Sequence, residues 1–282
     1  MVIFKEARKM KEFLDNETGK GLKTGFIPTM GALHSGHISL IKNARAEGMF
    51  TVCSIFLNPT QFNDKKDYEK YPVSTDEDIE MLLLAGCDVL FLPSVEEMYP
   101  QGTDKTATYD FGYLDTILEG ANRPGHFKGV GQIVGRLLDI VQPHTLFIGQ
   151  KDYQQCMVIK KLKEILALDG LNIVISPTLR EQDGLAMSSR NRRLTDPQRA
   201  LAGILYQCLV SIQTKQAGGN FNIVQKECSD LLQAKGFSTE YVALANADNL
   251  QLLSDYDNNV PMIALIAAKI GDIRLIDNIL LQ

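Results

Sequence analysis

Apolar positions in the first 178 residues form short unbroken runs that alternate with helical repeats. Thr24-Gly25-Phe26-Ile27-Pro28-Thr29-Met30 is such a run, ending in turn-forming residues. Gly31 to His37 follows, and a helical pattern then begins with Ile38, Leu40, Ile41 and Ala44, closing at Gly48. Phe50 to Leu57 is β-branched and apolar, which predicts a buried strand. Ser74 is placed to cap a helix with Glu77 three residues on, before Ile79, Leu82 and Leu83; Gly86 ends it. Asp88–Leu92 predicts the next strand, Phe127–Val141 a helix despite three internal glycines, and Thr145–Gly149 a strand. A helix over Lys151–Leu168 and a strand over Asn172–Ser176 complete the series. This alternation predicts an α/β fold: a doubly wound, Rossmann-like parallel sheet spanning residues 1–178.

Beyond that point the order changes. Asp196–Gln213 and Asn222–Ala234 read as helices, followed by strands over Thr239–Leu244 and Met262–Ile270. Helices followed by strands predict a smaller α+β domain over 179–282.

Composition narrows the class. The chain is 45% apolar, enough for a real core, and its net charge of −5 provides no global basic field for nucleic acid or anionic membrane. No run approaches the roughly 20 apolar residues that span a bilayer. The start, Met1-Val2-Ile3-Phe4-Lys5-Glu6, lacks a signal-peptide pattern, so a cytoplasmic protein is expected. The five cysteines lie at no metal-ligand spacing and are expected to be buried free thiols.

The candidate chemistry sits where strands meet helices. His34-Ser35-Gly36-His37 carries two of the chain's four histidines in one glycine-bearing turn after a strand. A helix N-terminus there offers unpaired N–H groups to a phosphate. Capping or surface histidines are the plainer alternative, and zinc would need further ligands that no neighbour supplies. Met187-Ser188-Ser189-Arg190-Asn191-Arg192-Arg193 follows the turn Asp183-Gly184; its hydroxyls and guanidinium groups suit a triphosphate, and equally a solvated basic loop. Gly149-Gln150-Lys151-Asp152 opens a helix: Lys151 suits a phosphate, and Asp152 a Mg²⁺ ion or the helix cap. Asn58-Pro59-Thr60-Gln61 reads as a polar-substrate contact or as a plain turn. Gly129, Gly131 and Gly135 lie inside a helical pattern at the wrong spacing for a dinucleotide fingerprint, and no P-loop is present.

The His34-x-Gly36-His37 turn with a later Met187-Ser188-Ser189-Arg190 resembles the HIGH-type nucleotidyltransferase superfamily, whose members split ATP between its α- and β-phosphates. Five fuller strings narrow this: Pro28 to His37, Asn58 to Phe62, Arg123 to Phe127, Gly149 to Gln155 and Asp183 to Asn191. With Arg274-Leu275-Ile276-Asp277-Asn278 they resemble, in order along nearly the whole chain, the pantothenate synthetase family. The resemblance implies ATP-dependent joining of pantoate to β-alanine through a pantoyl-adenylate, with Mg²⁺ and a homodimer. It implies ATP contacts at Met30, Gly31, Ala32, Leu33, His34, Ser35, Gly36, His37, Gly149, Gln150, Lys151, Asp152, Leu179, Met187, Ser188, Ser189 and Arg190. His37 matches the family's proton donor, Gln61 the contact shared by pantoate and β-alanine, and Gln155 a second pantoate contact. His34 and Lys151 join His37 as candidates for relieving charge on departing pyrophosphate. Val73 and Gln132 stand where the family commonly has arginine and threonine. A transferase that keeps AMP in its product and a non-catalytic nucleotide sensor are the competing functions. The neutral amides favour a hydroxy-acid acceptor over a phosphate ester, and no basic surface points to tRNA.

Overall fold

Consecutive residues of a strand face opposite sides of its sheet. Thr51–Ile55 and Val89–Phe91 are buried at every position, so both faces of these strands are covered, as in a parallel sheet between helices. The computed structural model describes residues 1–62, 65–103 and 106–281, without the side chains of 65 and 66. In chain order the elements of the first part are β1 (Val2–Phe4), α1 (Ala7–Gly19), β2 (Thr24–Thr29), α2 (Ser35–Ala46), β3 (Phe50–Ile55), α3 (Lys65–Glu69) and α4 (Thr75–Leu84). Next come β4 (Val89–Phe91), α5 (Val95–Met98), α6 (Leu118–Asn122), α7 (His126–Val141), β5 (Thr145–Gly149), α8 (Tyr153–Ile165) and β6 (Asn172–Ser176). The last part holds α9 (Asp196–Ala202), α10 (Ile204–Thr214), α11 (Phe221–Ala234), β7 (Ser238–Asn246), β8 (Leu252–Leu253), β9 (Met262–Ile270) and β10 (Ile273–Leu281).

Two compact units result: Met1–Gly149 with Val158–Pro177, and Gln150–Met157 with Thr178–Gln282. The start of α8 thus groups with the second unit, not with the strand before it. The first unit carries a six-stranded, wholly parallel sheet in the order β1-β4-β3-β2-β5-β6. Chain order reverses direction at β2, with β3 on one side and β5 on the other, so the crevice that such sheets use for ligands opens beyond their carboxyl ends. Ile27, Leu33, Leu40, Ile41, Ala44, Cys53, Leu90 and Phe147 fill the core beside it. The second unit carries an antiparallel sheet in the order β10-β9-β7-β8, and α10 and α11 pack on it. This is the expected α/β fold class with a smaller α+β companion.

Several details differ from the pattern reading, β10 among them. β1 and α1 precede the first expected strand. Ser74 stands at the N-cap of α4 but makes no capping bond; its hydroxyl donates instead to Asp78 Oδ1 at 3.1 Å. The helix expected over Asp196–Gln213 is two helices, broken at Gly203, where a Cβ would lie 2.9 Å from the Asp183 carboxylate. A 3-10 turn, Gln150–Asp152, precedes α8, which ends at Ile165. All five cysteines are buried free thiols, as expected.

Candidate active site

In the first unit the turn after β2 is shaped by its backbone. Gly31 (φ 84°) and Ala32 (φ 49°) both take left-handed conformations, a state that costs a non-glycine residue about 1–3 kcal/mol. That geometry aims two successive N–H groups one way. Ala32 N–H donates to Asp78 Oδ2 at 2.8 Å and Leu33 N–H to Asp78 Oδ1 at 2.7 Å. Asp78 is 1% exposed, so this carboxylate on α4 is a buried clamp on the turn. Thr29 adds a second hold: its hydroxyl donates to Ser54 O at 2.7 Å and accepts from Gly31 N–H at 3.2 Å.

The clamped turn delivers His34 to the N-cap of α2. His34 Nδ1 accepts from Gly36 N–H at 3.1 Å, and His37 Nδ1 accepts from His34 N–H at 3.3 Å. Each imidazole therefore keeps its Nδ1 lone pair for the backbone, which places the proton of the neutral ring on Nε2. The ring centroids lie 4.0 Å apart, as side chains at i and i+3 on one helical face should.

Gln61 ends a 3-10 turn, Pro59–Gln61, beyond β3, the sheet neighbour of β2. The turn rests on α7. Asn58 Nδ2 donates to Gly129 O at 3.1 Å, and Asn58 Oδ1 accepts from Tyr99 OH at 2.7 Å. His126 Nδ1–H donates to Gln61 O at 2.8 Å, and Arg123 donates to His126 Nε2 at 3.1 Å. A Cβ on Gly129 would collide with the Thr60 carbonyl. Asn58, Arg123 and His126 thus brace the Gln61 turn, and both polar ends of the Asn58 amide take part.

In the second unit, Gln150–Asp152 forms one turn and Ser189–Arg193 another. Lys151 is mostly covered and lies 3.5 Å from the half-exposed Asp152 carboxylate. Gln155 follows on α8 and is half-buried. Leu179 and Met187 face each other across a hairpin: Met187 N–H donates to Leu179 O at 3.0 Å, beside a bridge between Arg180 and Ala186. Ser188 caps the next turn, its hydroxyl accepting from Arg190 N–H at 3.2 Å. Asn191 fastens that turn to the hairpin by donating to Glu181 Oε1 at 2.8 Å and to Ala186 O at 3.1 Å. Arg199 grips the hairpin through Glu181 and Asp183 at 2.6 and 2.5 Å.

The family model for pantoate–β-alanine ligases matches residues 2–280. The chain belongs to the pantoate–β-alanine ligase family. It is 42% identical to the pantothenate synthetase of Cytophaga hutchinsonii, covering 100% of this chain and 99% of that one. It is 46% identical to that of Alcanivorax borkumensis over 92% of this chain and 90% of the relative. The crystal structure of pantothenate synthetase from Thermus thermophilus superposes with a TM-score of 0.89 at 37% identity, with 99% of each chain covered. The pantoate–β-alanine ligase of Francisella tularensis, solved in complex with "beta-gamma ATP" and β-alanine, superposes at 0.84 and 37% identity, over 99% of this chain and 97% of that one.

Val73 and Gln132, read from the resemblance as departures, stand in different surroundings. Val73 is 75% exposed. Gln132, nearly buried on α7, lines a groove of about 920 Å³ in the first unit, shared with Tyr99, Tyr109, Arg136 and Leu168. None of the predicted site residues lines that groove.

Proposed function

We propose that this enzyme joins pantoate to β-alanine through a pantoyl-adenylate, using ATP and releasing AMP and pyrophosphate. The observation that carries the reading is the Met30–His37 turn, with two imidazoles 4.0 Å apart at the N-terminus of α2 and a proton on each Nε2. Such N–H groups donate to anionic phosphate oxygens whether the ring is neutral or charged.

The pantoate carboxylate is ionised at neutral pH, so its attack needs alignment and charge relief, not a base. A carboxylate oxygen bonds to the α-phosphorus as the bond to the bridging oxygen breaks, and pyrophosphate leaves. Alignment of this kind contributes up to about 7–11 kcal/mol in the best intramolecular cases. We assign it to Gln61, shared by pantoate and β-alanine, and to Gln155. In the first unit, ATP contacts are assigned to Met30 through His37 and to Gly149, with His37 as proton donor. In the second, they are assigned to Gln150, Lys151, Asp152, Leu179, Met187, Ser188, Ser189 and Arg190. In the second step the neutral amine of β-alanine attacks the acyl carbon, the bond to the phosphate oxygen breaks, AMP leaves, and the surplus proton on nitrogen passes to the departing phosphate or to water.

Among the described residues no three His, Cys, Asp or Glu side chains cluster as metal ligands. The half-exposed Asp152 carboxylate is the protein group that would hold a Mg²⁺ ion, whose other ligands would be phosphate oxygens and water. Bound there, Mg²⁺ would neutralise charge on the phosphate oxygens. We further assign the enzyme to the cytoplasm as a homodimer; light scattering that returns the mass of one chain would refute the dimer. Among the described residues no helix is long and apolar enough to cross a membrane.

The test of function is AMP release with ATP, Mg²⁺, pantoate and β-alanine, each omitted in turn. AMP should form only with all four present at once. AMP release that ignores pantoate overturns the reading, and AMP retained in an esterified product selects the transferase instead.

A further inference from the structure

The residues after β9 carry no assigned part in the reaction, yet β10 places an amide directly against the Lys151 turn. Asn278 is 1% exposed. Its Nδ2 donates to the carbonyls of Gln150 at 3.0 Å and Lys151 at 2.9 Å, and its Oδ1 accepts from Gln150 Nε2 at 3.1 Å. Both donor hydrogens of one side chain are thus spent on the two carbonyls that bracket the Lys151 peptide unit. A neighbouring ion pair holds the strand in place. Arg180 donates to Asp277 Oδ2 at 2.6 Å and Oδ1 at 3.1 Å, and to the carbonyls of Asn278 and Gly184 at 3.0 Å each. Its guanidinium stacks 4.2 Å from the Tyr206 ring. Arg180 also belongs to the hairpin that leads into the Ser189–Arg193 turn, which β10 touches as well.

We infer that Asn278 is a positioning residue for Lys151, and that Asp277 and Arg180 keep it on station, so that β10 sets the geometry of the turn given to phosphate binding. The inference rests on the assignment of Lys151 to the ATP phosphates. Asn278 acts through backbone carbonyls, and its role depends on donating twice. Aspartate has the same shape and no such donors, and it would set negative oxygens against two carbonyls. A side chain that merely filled space would tolerate that exchange far better than one that donates.

The test uses full-length Asn278→Ala, Asn278→Asp, Asn278→Ser, Lys151→Ala and the double variant Lys151→Ala/Asn278→Ala. Pantoate-dependent ATP–pyrophosphate exchange is measured, with kcat and KM for ATP resolved, beside hydrogen exchange of the amides at 151–153. Asn278→Asp should lower kcat/KM for ATP by about 10–100-fold, more than Asn278→Ala, with Asn278→Ser, which donates only once and from a shorter side chain, close to Asn278→Ala. Lys151→Ala should cost about 10²–10³-fold. The double variant should be no more than about 3-fold worse than Lys151→Ala alone, because both changes act through one ammonium group. Amide exchange at 151–153 should quicken in both the Ala and Asp variants. Losses that multiply in the double variant overturn the inference, as does a folded Asn278→Asp enzyme within about twofold of wild type. If the Ala and Asp variants do not fold, Asn278→Ser against Lys151→Ala gives the same comparison. A silent Lys151→Ala sinks the phosphate assignment instead, and amide exchange then decides separately: quickened exchange upholds the bracing, and unchanged exchange overturns it.

Discussion

Both imidazoles of the turn after β2 turn one nitrogen inward to a backbone N–H, so a change at either removes a proton donor and loosens the turn as well. His37→Ala should slow pantoyl-adenylate formation by about 10²–10³-fold, equivalent to about 3–4 kcal/mol, if the donor acts mainly as pyrophosphate departs. Attack of β-alanine on preformed pantoyl-adenylate should suffer less. Equal losses in both half-reactions would refute that division. Asp78 makes a different prediction, because its carboxylate serves the turn and, beyond it, meets the Ser74 hydroxyl. Asp78→Asn keeps one acceptor oxygen and turns an amide NH₂ against a backbone N–H, a buried mismatch of about 1–3 kcal/mol. KM for ATP should rise more than kcat falls, with a lower unfolding temperature; an unchanged KM would exclude the clamp. The histidine turn was legible from sequence because a glycine-bearing segment separates an apolar run from a helical one. Asp78 was not, because its partners are 45 and 46 residues away. One signal was present: a carboxylate beside Ile79 and four residues before Leu82, on the side of α4 that is buried. The Ser74-x-x-Glu77 spacing drew the reading to a capping box one residue short of it.

The same contrast between local and distant causes appears in whole elements. β2 to β5 were legible because their apolar runs are continuous, as burial on both faces requires, and the edge strand β6 because Ile173-Val174-Ile175 is β-branched throughout. β1 is a three-residue edge strand with two exposed positions, and the α1 beside it buries only Met10 and Leu14, so neither shows a strong period. β10 escaped for another reason: its buried positions include Asp277 and Asn278, so its core-facing pattern is broken by polar residues. The three glycines of α7 looked like helix breakers, and packing accounts for them. Cβ atoms at Gly131 and Gly135 would press on Phe111 and Tyr109, and one at Gly129 would strike the Thr60 carbonyl. Gly129→Ala should therefore displace the Pro59–Gln61 turn instead of strengthening the helix. The expected cost is about 1–3 kcal/mol, the usual range for overpacking, against a helix-propensity gain of about 1 kcal/mol. Urea unfolding measures the balance, and pantoate KM should rise because Gln61 shifts. A Gly129→Ala enzyme that is more stable, with pantoate KM unchanged, would show that the turn accommodates the methyl group.

At the scale of the whole molecule, the second unit answers to pH through two aspartates shifted in opposite directions. Hydrogen bonds from Arg199 hold the Asp183 carboxyl below the ordinary aspartate range, against the pull of burial. Burial pushes the Asp277 carboxyl up, and its hydrogen bonds from Arg180 offset this only in part. A depressed folded value means that the native state gives up its proton first. Asp183 therefore contributes stability above its unfolded value of about 3.9, which is lost as pH falls through the lower folded value. A raised value has the reverse sign: Asp277 favours the native state most at low pH, and that contribution fades as pH climbs from about 3.9 through its raised folded value. Removing Arg199 should isolate the first effect, because that guanidinium pairs with Glu181 and Asp183, whereas Arg180 holds Asp277. Asp183 is 40% exposed and solvent screens it, so each pair contributes only about 0.2–1 kcal/mol. Arg199→Gln should thus lower the free energy of urea unfolding modestly at pH 7. The gap from wild type should narrow below about pH 4, as the carboxylates of both proteins take up protons. The fall in stability that Asp277 imposes above about pH 4 should remain in the variant. A gap that stays constant down to about pH 2.5 would instead assign the loss to the packing of the Arg199 stem against the hairpin. The charges would then do no more than hold that stem in place.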